Sequence, residues 1–129
     1  MARKQRAPRP LTLADVEITI QVEPEQDQVH GHFASGDEDQ DRELEDEIIR
    51  LADAGYVEAW CCITVTARWK GSEGSDHLGC CSHLIRDDLP SLAQQVEDTI
   101  ASHGMREQAL EDLNREIAAA HAKLATLTA

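Results

Sequence analysis

The sequence predicts an α+β domain: a small three-stranded sheet in β-α-β-β-α order, with helices on one face and a long C-terminal helix. Three observations predict it. Residues 15–23 and 57–69 alternate apolar with polar side chains, the period of a half-buried strand. A Gly/Ser-rich turn, "KGSEGS", joins the second of these to a third short apolar segment. Two further stretches, around 35–55 and from Leu89 onward, repeat their apolar residues at helical spacing.

Residues 1–12 are basic, carry Pro8 and Pro10, and read as a disordered arm before a single domain over 13–129. In "DVEITIQVE", Val16, Ile18, Ile20 and Val22 point one way and Glu17, Thr19, Gln21 and Glu23 the other, until Pro24 ends the strand. "SGDEDQDRELEDEIIRLADAG" is a helix capped by Ser35 or Asp37, with acids in its first turn and Gly55 as its stop. Leu44, Ile48 and Leu51 form its buried stripe. In the second strand, Val57, Ala59, Cys61, Ile63, Val65 and Ala67 face the core. Glu58, Trp60, Cys62, Thr64, Thr66 and Arg68 face outward.

The third strand, "DHLGCCSHL", places Leu78, Cys80, Ser82 and Leu84 on its more apolar face and His77, Gly79, Cys81 and His83 on the other. Paired residue numbers in this hairpin sum to 141, leaving a two-residue Lys70-Gly71 loop, or to 143, leaving a four-residue loop. From Leu89 the chain is helical, capped by Asp87 or Asp88, and Gly104 bends or breaks it. Beyond that, over 105–129, Leu110, Leu113, Ile117, Leu124 and Leu127 form a short coiled-coil-like seam that predicts a homodimer, with packing of the same stripe on the sheet as the alternative.

Twenty-five acidic residues face twelve basic ones, a net charge of −13. Four of the bases lie in the first nine residues, so the chain from residue 10 onward holds 8 bases against 25 acids, a net of −17. A body this acidic repels nucleic acid and anionic membranes, and it is attracted to basic protein surfaces. No apolar run approaches the ~18 residues of a membrane span, and no apolar segment follows the basic N-terminus as in a secretory signal. The expectation is a cytoplasmic protein with reduced thiols.

The adjacent-cysteine doublets, Cys61-Cys62 and Cys80-Cys81, are the most distinctive local feature. Neighbours on a strand point to opposite faces, so two cysteines of one doublet cannot both aim at one ion. The expectation is therefore reduced, metal-free cysteines and no cofactor. Cys62, Cys81, His83 and His77 share the predicted outer face and are the alternative, a metal- or thiol-dependent module. A thiolate nucleophile needs nearby positive charge, which this body lacks, and no other catalytic pattern stands out, so no enzyme is expected. His30 and His32, spaced i, i+2 in a loop, can chelate in principle.

The acidic helix holds eight acids and two arginines between Gly36 and Arg50. Asp37, Asp41 and Glu45 make one like-charge row, and Asp39, Glu43 and Glu47 a second. Such rows suit a Lys/Arg groove built for phosphates. Together with Trp60 on the outer face, they are the predicted partner-binding residues.

The stretch "AWCCITVTARWKGSEGSDHLGCCSHL", with "ASGDEDQDRELEDEIIR" before it and "REQALEDLNREI" after it, resembles small uncharacterised acidic proteins encoded in tailed-bacteriophage and prophage genomes. The resemblance implies a phage or mobile-element accessory protein that binds another protein. By analogy of class, it implies an inhibitor of a host nucleic-acid-binding or defence complex, as anti-CRISPR proteins are, or else a structural or assembly role.

Overall fold

A computed structural model of the chain describes residues 9–128. A three-stranded antiparallel sheet of order β1-β2-β3 and three helices make up the architecture, the α+β class that the periodicities predict. The elements are β1 (Glu17–Pro24), α1 (Glu38–Asp53), β2 (Cys61–Trp69), β3 (Ser72–Cys81), α2 (Leu92–Ser102) and α3 (Met105–Thr128). No helix among the described residues is long and apolar enough to cross a membrane. The chain divides into two compact units, and the strands run through both.

One unit holds residues 9–19, the Val65–Asp76 hairpin and the segment from Gly104 to Thr128. Its hairpin closes through Lys70 (φ 46°) and Gly71 (φ 81°). Two consecutive positive φ values define a type I′ turn, whose twist matches that of the strands. The loop is thus the two-residue one and the pairing sum is 141. β3 begins at Ser72, not at the end of "KGSEGS". Gly74 is a strand residue, and its role is close approach: a Cβ there would lie 2.1 Å from the Leu113 backbone nitrogen and 2.6 Å from the Ala109 carbonyl oxygen.

α3 packs through Met105, Ala109 and Leu113, all fully buried. Leu113 therefore belongs to this unit's core and not to an exposed seam. The spacing of four along one face carries the contact, and Leu110 and Ile117 flank it half-buried. Leu124 and Leu127 remain 61% and 76% exposed. Ser75 N–H donates to the Asp112 carboxylate (2.9 Å). Residues 1–8 of the predicted basic arm lie outside the described residues. Leu11 exchanges two hydrogen bonds with the Asn114 side chain (2.9 and 3.1 Å), and a 3-10 turn at Leu13–Asp15 is closed by a Thr12/Asp15 capping box.

The other unit comprises Ile20–Thr64 and His77–His103. Asp37 caps α1 by accepting from Gln40 N–H (3.1 Å), acids fill the first turn, and Gly55 (φ 99°) follows the C-cap. Ile48 is fully buried, with Leu44 and Ile49 beside it. α2 starts later than Asp87 or Asp88 would place it. Ser91 is the cap, accepting from Gln94 N–H (3.2 Å), and Pro90 lies before the helix. Gly104 (φ 59°) separates α2 from α3.

β2 alternates as predicted. Cys61, Ile63, Val65 and Ala67 have zero exposure, while Cys62, Thr64 and Thr66 are half-buried. The strand begins only at Cys61, because Val57–Ala59 forms a 3-10 turn. Trp60 joins the two, and this changes its environment. It is 6% exposed and packs with Val29 and Ile48, flanked by Phe33, Leu44, Cys80 and Leu84. Trp60 is thus core, and the outward placement expected for it is overturned. The loop after β1 and helix α1 cover the end of the strand where the sequence pattern suggested open surface.

Candidate functional site

The two doublets distribute their sulfurs differently from simple alternation. Cys80 adopts φ 54°, a left-handed conformation that L side chains rarely take. The kink shifts the phase of β3 by one residue, so Cys81 (8% exposed) and His83 (4%) turn into the core, where Cys80 was expected. The predicted outer-face group of Cys62, Cys81, His83 and His77 is consequently not assembled. Cys81 and His83 lie with Cys61, Cys62 lies against Glu25, and His77 pairs with the Thr64 hydroxyl (3.0 Å).

The buried group is structural in its chemistry. The Cys61 sulfur is 4.0 Å from His83 Nδ1. His83 Nδ1–H donates to the Glu58 carbonyl (2.8 Å), and Nε2 meets the Thr99 hydroxyl (2.9 Å). Both ring nitrogens are thereby occupied. Burial, reinforced by the neighbouring Cys81 and Cys62, pushes the Cys61 thiol up to about 12, and burial likewise raises Cys81. These are packed thiols that stay protonated, the reverse of what a nucleophile requires.

The outer group is organised by one carboxylate. Glu25 accepts from the Cys62 thiol (2.8 Å), from Cys80 N–H (2.9 Å) and from Asp27 N–H (3.2 Å). These donors hold Glu25 below the usual carboxylate range, the Cys62 bond contributing most. The same bond raises Cys62 to about 11. Gly79 leaves room for this carboxylate, since a Cβ there would sit 3.3 Å from it. Next to Glu25, one side-chain donor atom from each of Asp27, His32 and Cys80 lies within 4.8 Å of the others. Trp60 braces two of the three. Its indole N–H donates to the Asp27 carbonyl (2.7 Å), and its ring meets His32 edge-on at 5.2 Å between centroids. Of this group, the His30/His32 spacing was the visible sequence signal. Glu25 and Asp27 carried none, because their contacts to Trp60, Cys62 and Cys80 come from residues more than 30 positions away.

The acidic rows of α1 are partly occupied by the fold. Asp37 is the helix cap, Asp41 accepts from Ser35 N–H (3.0 Å), and Glu45 is buried and held by His30 Nδ1 (2.6 Å). Glu47 makes a two-pronged bond with Arg86 (3.1 and 2.7 Å), which keeps its carboxyl low. Glu45 therefore leaves the set of accessible carboxylates, and Glu47 carries a neutralising partner. Glu38, Asp39, Glu43, Asp46 and Asp53 remain exposed on the helix, with Arg42 and Arg50 exposed among them. Compared with protein-family models, curated proteins and solved structures, the chain shows no match.

Proposed function

We propose that this chain is a non-enzymatic, cytoplasmic accessory protein of a phage or mobile element that acts by binding a partner protein with a basic surface. The observation that carries the reading is the solvent side of α1. Glu38, Asp39, Glu43 and Asp46 are all exposed there on a body of net charge −17. Carboxylates on a rigid helix match the guanidinium and ammonium groups that line a phosphate-binding groove. The four thiols support the non-enzymatic part, since every one of them is raised above its ordinary range. Trp60, being core, no longer contributes to the surface.

The test uses the full chain immobilised and exposed to bacterial lysate. Basic proteins retained at low salt should be released by added double-stranded DNA, and Asp39→Lys with Glu43→Lys should abolish their retention. Equal retention by the charge-reversed protein refutes the proposal. Surface attraction of this kind is screened beyond ~8 Å at physiological ionic strength, so retention should fall steeply with salt. The exposed Leu127 and Leu124 of α3 support a second contact, self-association of two copies through the C-terminal half of that helix. Light scattering of Leu124→Ser/Leu127→Ser against the parent chain tests it. An unchanged mass removes the dimer.

A further inference from the structure

We propose that Asp27, His32 and Cys80 form a binding site for a divalent transition-metal ion of the zinc class. The site is independent of the acidic helix face. Its donor atoms already lie within 4.8 Å of one another, with the Asp27 carboxylate 4.0 Å from the Cys80 sulfur. Bonds of about 2.0 Å to oxygen and nitrogen and about 2.3 Å to sulfur put tetrahedral ligand atoms roughly 3.3–3.6 Å apart. The remaining closure falls on the exposed side chains of Asp27 and His32, beside the half-buried Cys80. One thiol, one imidazole and one carboxylate make a mixed S, N, O set. That set favours zinc, cobalt or nickel over calcium or magnesium, which prefer all-oxygen cages.

The surroundings are built for this. Each ligand has a support that holds its backbone or ring. Glu25 binds the N–H groups of both Cys80 and Asp27, and Trp60, anchored in the core, holds the Asp27 carbonyl and the His32 ring. Such outer contacts orient metal ligands. Cys80 reaches this side of the sheet only through its left-handed backbone, a strained conformation that regular alternation would not produce. The expectation of metal-free cysteines came from that alternation, which fails at the one residue that matters. Glu25, bound to the Cys80 N–H, and Asp27, 4.0 Å from the Cys80 sulfur, also place negative charge beside the site, which favours a cation.

Cobalt(II) is the probe. Added to the full, reduced chain at on the order of ten micromolar, it should give a near-ultraviolet thiolate charge-transfer band that saturates at one ion per chain. Cys80→Ser should abolish the band, and Cys62→Ser should retain it. His32→Ala, a change at an exposed position, should lower the affinity at least tenfold. It also serves as the decisive variant if Cys80→Ser does not fold. Absence of the band, its loss in Cys62→Ser but not in Cys80→Ser, or unchanged affinity in His32→Ala each overturns the site.

Discussion

Cys80 offers a test of backbone strain that is separate from any ligand. At φ 54°, a side chain of any L-residue crowds its own backbone, at a cost of about 1–2 kcal/mol. Glycine has no such cost. Cys80→Ala and Cys80→Gly both remove the sulfur, its packing against the Trp60 cluster and its long contact to Asp27, so these losses cancel in the comparison. What remains is the left-handed penalty, offset by the greater entropy of glycine in the unfolded chain. The glycine variant should be the more stable of the two by about 1 kcal/mol. Cys62, a regular residue of β2, supplies the control. There the order should reverse, with alanine ahead of glycine by roughly 0.5–1 kcal/mol. Urea unfolding followed by far-ultraviolet circular dichroism measures both pairs. With a slope near 2 kcal/mol/M, 1 kcal/mol moves the midpoint by about 0.5 M. If Cys80→Gly is no more stable than Cys80→Ala, the kink is not strained. The phase shift that sends Cys81 inward would then need another cause.

Three further outcomes are expected. Trp60→Ala should cost about 3–5 kcal/mol, as for a buried tryptophan, whereas an exposed binding residue would leave the unfolding midpoint unchanged. Gly74→Ala should cost about 3 kcal/mol or more, because its Cβ would meet helix backbone that cannot rotate away; calorimetry giving a loss under ~1 kcal/mol would show that α3 can shift. The pH profile should fall at both ends. Glu25 titrates below its ordinary 4.5 when folded, so the stability it contributes is present above 4.5 and lost as pH drops through its folded value; Glu25→Gln should flatten that acid limb. Cys61 and Cys62 are raised to about 12 and about 11 from 9.0, so their contribution is complete below 9 and lost as pH rises through those values. Denaturant midpoints measured from pH 3 to pH 11 check both limbs.

Local pattern was enough for the parts of the fold that repeat. The β2 alternation placed Cys61, Ile63, Val65 and Ala67 correctly, since a central strand presents a simple period of two. The cap and stop of α1 and the break at Gly104 were likewise legible, because each depends on one residue's own chemistry. Pattern failed where one residue departs from its type. Nothing in "GCCS" announces a left-handed cysteine, and that single angle reassigned Cys80, Cys81 and His83. "GSEGS" reads as a loop, yet Gly74 is needed for contact with α3, not for turning. Trp60 has the extended backbone expected of it, but the loop after β1 and α1 cover its side chain, which local alternation does not reveal. The candidate metal residues were the least legible. Asp27 and His32 lie on an irregular segment, and their relation to Cys80 exists only once the chain has folded.

The acidity of this chain also changes meaning when its carboxylates are followed individually. Asp37, Asp41 and Glu25 accept backbone N–H groups, and Asp15 closes a capping box. Glu45 and Glu47 are held by His30 and Arg86. These acids satisfy donors that would otherwise require other partners, and each works chiefly as a hydrogen-bond acceptor. Net charge therefore overstates what α1 can offer to a basic groove. The effective surface is the short cluster Glu38, Asp39, Glu43 and Asp46, which exposed Arg42 and Arg50 partly neutralise, with Asp53 exposed at the helix end. A footprint this small supplies orientation and salt-sensitive encounter, and an affinity tighter than micromolar would demand apolar contacts elsewhere on the chain. Such a partner complex should dissociate quickly in moderate salt even when it forms rapidly. The outer thiol pair sits elsewhere, where Glu25 holds the Cys62 thiol and the Cys80 N–H and Asp27 lies 4.0 Å from the Cys80 sulfur. Negative charge gathered at this close range favours a bound cation, which a dispersed helix face does not do.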